Sequence, residues 1–303
     1  MRPFSVSGRR RGPACVAVLH RTRHDGGVNP LIDAAQLSAL MCAGTAVRVL
    51  DVRWRLDAPD GRAAYRDGHV PGAVYVDMDT ELAHIDDPAD GRHPLPSLPA
   101  LQTAARRWGL QPGVPVVAYD DWNMMGAARA WWMLRGAGVP DVRVLDGGLT
   151  AWRDAGLPLE RGDVRPAPGT LRLHEIDRGV ASIDDAAAWP GHGVLLDVRA
   201  PERYRGETEP LDPVAGHIPG AVNLPSTVHL RDGRFAGPAA IRDAFASAGV
   251  QEDTPVAAYC GSGVTAAHTA LAGAVAGLDV TVYPGSWSQW SHTPGRPVAT
   301  GPA

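Results

Sequence analysis

A thiol at the end of a short apolar run is the clearest candidate for covalent chemistry in this chain. The run "TPVAAYCGSGVTAAHTAL" spans residues 254–271, with Cys260 followed by Gly261, Ser262 and Gly263. Its pattern predicts a strand, a tight loop and a helix, with the thiol on the loop. Cys260 can be a buried apolar residue, a ligand, or a nucleophile. The loop favours the nucleophile. Glycines at 261 and 263 let successive backbone N–H groups turn inward as a nest for an anion. Thr265 and the alanines after it start a helix whose positive end faces the same spot. A thiolate is stabilised in such a place. Cysteine-dependent phosphatases need an arginine six positions after the cysteine; Ala266 stands there, which removes that chemistry.

The elements that must hold this loop occur twice. "VRVLDVRW" (47–54) matches "GVLLDVRA" (193–200), and "GHVPGAVYVD" (68–77) matches "GHIPGAVNLP" (216–225). "VPVVAYD" (114–120) matches "TPVAAYC" (254–260), and "RVLDGGLTAW" (143–152) matches "TVYPGSWSQW" (281–290). Four blocks in one order at nearly one interval identify an internal duplication. In each copy, short β-branched runs (Val47–Val52, Val116–Tyr119 and Val142–Leu145; Val194–Val198, Val256–Tyr259 and Val280–Tyr283) alternate with alanine-rich segments such as Gly126–Leu134 and Thr265–Leu278. That alternation predicts an α/β protein, each copy a parallel sheet flanked by helices. The expected boundaries are a first domain at 28–160, a linker at 161–180 and a second domain at 181–303. Residues 1–27, arginine-rich and without periodicity, read as a disordered tail or a start site placed too early.

Residues common to both copies read as structural, and those unique to one as chemical. Arg53 and Arg199 of the twin "DVR" are expected to be ion-pair partners, and His69 and His217 turn and packing residues. Cys260 is unique: its twin is Asp120. A core cysteine exchanges with alanine, serine or valine rather than aspartate, so the position is expected to be exposed enough to solvate an acid.

Composition narrows the chemistry further. All 29 basic residues are arginine, so no Schiff-base or phosphate-loop lysine exists. The net charge of −4 offers no electrostatic reason to expect nucleic acid or an anionic membrane as partner. No apolar run reaches the ~18 residues that a membrane span needs. Cys15, Cys42 and Cys260 are odd in number and lack CxxC spacing. This argues against a disulfide framework or a zinc site and points to a reducing, cytoplasmic setting.

With "CGSGVTA" (260–266), two "GH[VI]PGA" blocks and "LDGGLTAW", the chain resembles the tandem rhodanese-domain sulfurtransferases over about residues 30–300. The resemblance implies two rhodanese-like domains, an inactive first copy, and a persulfide intermediate on Cys260 with no metal or organic cofactor. The neutral Gly261 and Ser262 resemble the 3-mercaptopyruvate sulfurtransferases; thiosulfate-specific members carry cations there to meet a dianion. Thiosulfate is the alternative donor. A non-catalytic sulfur-binding or docking module is the alternative of another class, and the intact Cys260 loop argues against it.

Other roles are carried over from the family. The loop Gly261, Gly263, Val264 and Thr265 corresponds to the sulfur-binding segment. Arg203, opposite Ala64 in the first copy, corresponds to the arginine that binds the donor carboxylate. A second arginine follows it in many members, and residues 206–215 contain none. Ser262, His93 and Asp79 correspond to a proton relay, with a solvated loop histidine as the other reading of His93. Trp54 corresponds to a pocket aromatic, or is a plain core tryptophan. The implied partners are a small-molecule sulfur donor and an acceptor, either cyanide or a thioredoxin-like or low-molecular-weight thiol.

Overall fold

The repeated β-branched runs become the strands of two parallel sheets. A computed structural model describes residues 29–84 and 87–302; the expectation for residues 1–27 lies outside them. In the first copy the strands are β1 (Leu31–Ile32), β2 (Arg48–Asp51), β3 (Val74–Tyr75), β4 (Val116–Tyr119) and β5 (Val142–Leu145), in the order β1-β5-β4-β2-β3. In the second they are β6 (Val194–Asp197), β7 (Val222–Asn223), a small hairpin of β8 (Leu230–Arg231) and β9 (Arg234–Phe235), then β10 (Val256–Tyr259) and β11 (Val280–Val282). The second sheet runs β11-β10-β6-β7. All strand pairings within the two sheets are parallel, and the hairpin strands pair antiparallel. Central strands β4 and β10 are buried at every residue, as expected of strands covered on both faces.

The shared motifs do the same structural work in both copies. Arg53 pairs with Asp51 at 2.5 Å and donates to the carbonyls of Ala64 and Gly68; Arg199 pairs with Asp197 at 2.6 Å and donates to the carbonyl of Gly216. Each arginine thereby pins the turn of its own "GH[VI]PG" block to the end of the preceding strand. His69 stacks on Tyr65 with ring centroids 4.1 Å apart, and His217 stacks on Tyr204 at 3.8 Å.

The domains meet through two nearly all-apolar helices, Met125–Gly136 and Val264–Ala276. Their alanines, among them Ala127, Ala130, Ala266 and Ala270, belong to one buried apolar cluster that spans both halves. Small side chains let the helices approach closely, which brings the β10 loop against the first domain. Residues 161–180 form no strand or helix. They run along the first domain, where the amide of Gly169 donates to the carbonyl of Arg106, and reach the second sheet at Val180 beside Val282. Among the described residues, no helix is long and apolar enough to cross a membrane.

Candidate active site

Cys260 follows β10 directly, and its loop curls back on the thiol. The amide of Gly263 donates to Cys260 Sγ at 3.1 Å. Gly263 holds φ at 80°, and a methyl group on it would lie 2.4 Å from the Pro284 carbonyl oxygen, so only glycine fits. The helix begins at Val264, one residue before the expected start, with Thr265 half-buried in its first turn. Helix Ser286–His292 braces the loop. Ser286 Oγ accepts from the Cys260 amide at 3.1 Å, and the amides of Trp287 and Ser288 donate to the carbonyls of Cys260 and Gly261.

The expected exposure of this position is overturned. Cys260 is only 3% exposed and its twin Asp120 is fully buried. The aspartate is tolerated because the backbone solvates it. Its Oδ1 accepts from the amides of Trp122 and Met124 at 2.8 and 2.9 Å, and Oδ2 from Ala127 at 2.9 Å. Burial pushes its pKa up to about 7, against the pull of these three amides. Both copies therefore keep an anion nest, and the first is filled by its own carboxylate. Asp120→Asn turns an –NH2 group toward donors that need an acceptor. It is expected to lower stability by about 1–3 kcal/mol in denaturant titration.

The first domain supplies the opposite wall. Ser262 Oγ lies 2.8 Å from His93 Nδ1, and His93 Nε2 lies 3.2 Å from Asp79 Oδ1. A carboxylate only accepts, so Nε2 carries the proton and Nδ1 accepts from the serine in the neutral ring. Burial pushes the His93 pKa down; the Asp79 hydrogen bond opposes this, and the Arg129 and Arg92 charges add to it. His93 is 5% exposed, which excludes the solvated-loop reading. Trp54 meets the His93 ring edge-on at 5.2 Å and lines a cleft of about 520 Å³ with Asp79, Arg92, His93, Leu211 and Asp212.

Arg203 lies in the short helix Pro201–Tyr204 and is held by Glu209, with Nη2 2.6 Å from Oε1. Arg92 pairs with Asp212, whose second oxygen is 3.6 Å from Arg203 Nη2. Both guanidiniums reach the loop: a methyl on Gly261 would lie 2.9 Å from Arg92 Nη2 and 3.5 Å from Arg203 Nη1. Below them Arg129, fully buried, donates to the carbonyls of His93 (2.9 Å), Leu82 (3.3 Å) and Gly263 (3.3 Å). Burial lowers its pKa to about 10.

Sequence reasoning missed Arg92, Arg129, Glu209, Asp212 and Ser286. The one signal available was Arg129, a charge in the middle of a helix whose other charge, Arg135, sits in its last turn.

Comparison with known proteins agrees with this architecture. The model of the rhodanese-like domain matches twice, at residues 33–155 and 182–293. "Putative thiosulfate sulfurtransferase SseB" of Mycobacterium tuberculosis is 50% identical, over 90% of this chain and 98% of its own length. "Probable 3-mercaptopyruvate sulfurtransferase" of Pseudomonas aeruginosa is 43% identical, over 89% and 98%. The crystal structure of SseA from Escherichia coli, presented with the fold and catalytic mechanism of 3-mercaptopyruvate sulfotransferases, superposes with a TM-score of 0.78 at 31% identity, covering 86% of this chain and 99% of that one. With two copies of the fold and one thiol-bearing loop between them, the chain belongs to the rhodanese family and is a sulfurtransferase.

Proposed function

We propose that the protein moves sulfane sulfur from 3-mercaptopyruvate to a thiol or to cyanide through a persulfide on Cys260. The observation that carries this reading is the chain Asp79–His93–Ser262, which crosses the domain interface and ends two residues from the thiol. Removing sulfur from mercaptopyruvate leaves an enolate that must be protonated, whereas thiosulfate releases sulfite with no such demand. A proton relay beside the sulfur site has work to do only for the first donor.

The step balances as follows. The Cys260 thiolate attacks the donor sulfur, forming the S–S bond while the C–S bond breaks toward carbon. Neutral His93 takes the donor's S–H proton through Ser262, and Asp79 stabilises the imidazolium. The same proton returns to the enolate carbon, so pyruvate and a persulfide anion carry away the charge brought by thiolate and donor. Arg203 holds the donor carboxylate, and amides of the Gly261–Thr265 loop stabilise the outer sulfur. Trp54 shapes the cleft beside His93. An acceptor thiol, small or on a thioredoxin-like protein, then takes the outer sulfur, in the cytoplasm.

Thiosulfate is the second reading, favoured by the name of the 50%-identical mycobacterial relative. Against it stands the Asp79–His93–Ser262 chain, for which a donor that releases sulfite provides no proton to carry. The expected result is a kcat/KM for mercaptopyruvate about tenfold or more above that for thiosulfate. Steady-state kinetics with both donors decides it, and the reverse order overturns the proposal.

A further inference from the structure

A second cleft, of about 430 Å³, opens where the segment 161–180 crosses the first domain, and it shares no lining residue with the cleft beside His93. Arg62 and Arg66 reach it from the helix Arg62–Asp67, Arg107 from the end of the helix Leu98–Arg107, and Arg165 from the crossing segment. Pro166 and Pro168 add apolar surface. We propose that this cleft binds a small molecule bearing a phosphate group, with the guanidiniums on the phosphate and the prolines against its organic body.

Four guanidiniums face one lining carboxylate, Asp163. The acids that hold Arg62 and Arg107 lie deeper than the arginines do. The side chains of Asp77 and Glu81 are 23% and 14% exposed, against 41% and 47% for their partners. The Arg62 guanidinium also lies over the Tyr75 ring, 4.7 Å from its centroid. Arg66 binds Asp163 through Nε and Nη2. Among the described residues, no hydrogen bond engages Nη1 of Arg62, Arg66 or Arg107, and Arg165 forms neither hydrogen bond nor ion pair. Asp163 registers the resulting field: the Arg66 hydrogen bond holds its carboxyl below the ordinary range, and the charges of Arg165 and Arg62 add to this. Planar guanidiniums with unused N–H groups suit phosphate oxygens, and a cleft of this volume takes a small molecule.

The fold does not require this cluster. In the second copy, Asn223 and Pro225 of "GHIPGAVNLP" stand opposite Tyr75 and Asp77, Pro201 stands opposite Arg62, and the equivalent ten-residue helix ends at Ser247. What both copies keep is the tyrosine, Tyr65 or Tyr204, whose hydroxyl donates to the carbonyl of Ala73 or Ala221. The second copy thus builds the same turn without Arg62, Tyr75, Asp77 or Arg107. The rim of the cleft is fastened without a ligand: the Val164 amide donates to Tyr65 Oη at 3.1 Å, and the Gly162 amide to the Arg66 carbonyl at 2.9 Å.

Inorganic phosphate, phenyl phosphate and citrate are titrated calorimetrically into the full chain at one ionic strength. The wild type is compared with Arg165→Gln, the double variant Arg62→Gln/Arg165→Gln, and Arg203→Ala. Phenyl phosphate is expected to bind about tenfold more tightly than inorganic phosphate, because its ring covers the prolines, and citrate more weakly than either. Its Kd is expected to rise about tenfold in Arg165→Gln and about 100-fold in the double variant, and to stay within about twofold in Arg203→Ala. Arg165 is exposed and holds no partner, so its effect does not come from misfolding; sulfur-transfer kcat in Arg165→Gln is expected to match the wild type. No binding of phenyl phosphate below about 10 mM, or a Kd unchanged in the double variant, overturns the site. A Kd that rises only in Arg203→Ala puts the anion in the catalytic cleft and also overturns it. Citrate binding as tightly as phenyl phosphate overturns the phosphate class. Binding of a glutamate-rich peptide in preference to the phosphates overturns the small-molecule reading and makes the cleft a protein-docking surface.

Discussion

Cys260→Ser is expected to abolish sulfur transfer, with kcat/KM falling at least ~10⁴-fold for every donor. Mass spectrometry after incubation with donor is expected to show one added sulfur atom on the wild type and none on the variant. The magnitude follows from the chemistry: an alkoxide is not formed at neutral pH, and an S–O bond would be no substitute for a persulfide. The fold survives, because the hydroxyl still accepts from the Gly263 amide that now meets Sγ at 3.1 Å. Melting should therefore stay within about 1 kcal/mol of the wild type. Residual turnover in the variant would move the nucleophile elsewhere. Absence of the adduct in the wild type would overturn the persulfide mechanism.

His93→Gln is expected to lower kcat with mercaptopyruvate by about 10²–10⁴-fold, the usual contribution of a placed proton carrier. Thiosulfate turnover should change far less, since no enolate forms. The pH profile carries a second signature. Burial holds the His93 pKa below its ordinary value of 6.5, so the ring is neutral and able to accept at neutral pH. The acid limb of kcat/KM should lie below the usual histidine range and vanish in the variant. The same shift bears on stability. Folding disfavours the His93 proton, so its contribution is fully present above pH 6.5 and is lost as pH falls through the lower folded value. An acid limb that persists unchanged in His93→Gln would belong to another group.

The fold and the candidate nucleophile were legible in the sequence because both rest on local signals. The duplicated blocks and β-branched runs mark the two parallel sheets, and Cys-Gly-x-Gly between strand and helix marks the thiol. The relay residues were legible only through family resemblance. Asp79 lies in the short helix Met78–Glu81 and His93 in a loop, and their meeting with Ser262 depends on how the domains pack. The rest is non-local for the same reason. Arg92 acquires meaning only when Gly91 docks against Gly285, and Glu209 and Asp212 look like solvated loop acids until Arg203 and Arg92 close over them. The exposure of Cys260 was misjudged through Asp120. Chain composition does not distinguish an acid solvated by water from one solvated by three backbone amides.

Arg129 fixes what the duplication has become. One buried side chain of the first copy grips the backbone of both His93 and Gly263, so the histidine loop and the sulfur loop share a single fastening. The copies have divided a labour that neither retains whole: one keeps the thiol and Arg203, the other keeps the facing wall with Arg92 and Arg129. Such a partition is hard to reverse, because a gene that shed either half would lose a share of the same cleft. The ancestral single domain is no longer recoverable by trimming, and selection must preserve the pair as one inheritable unit.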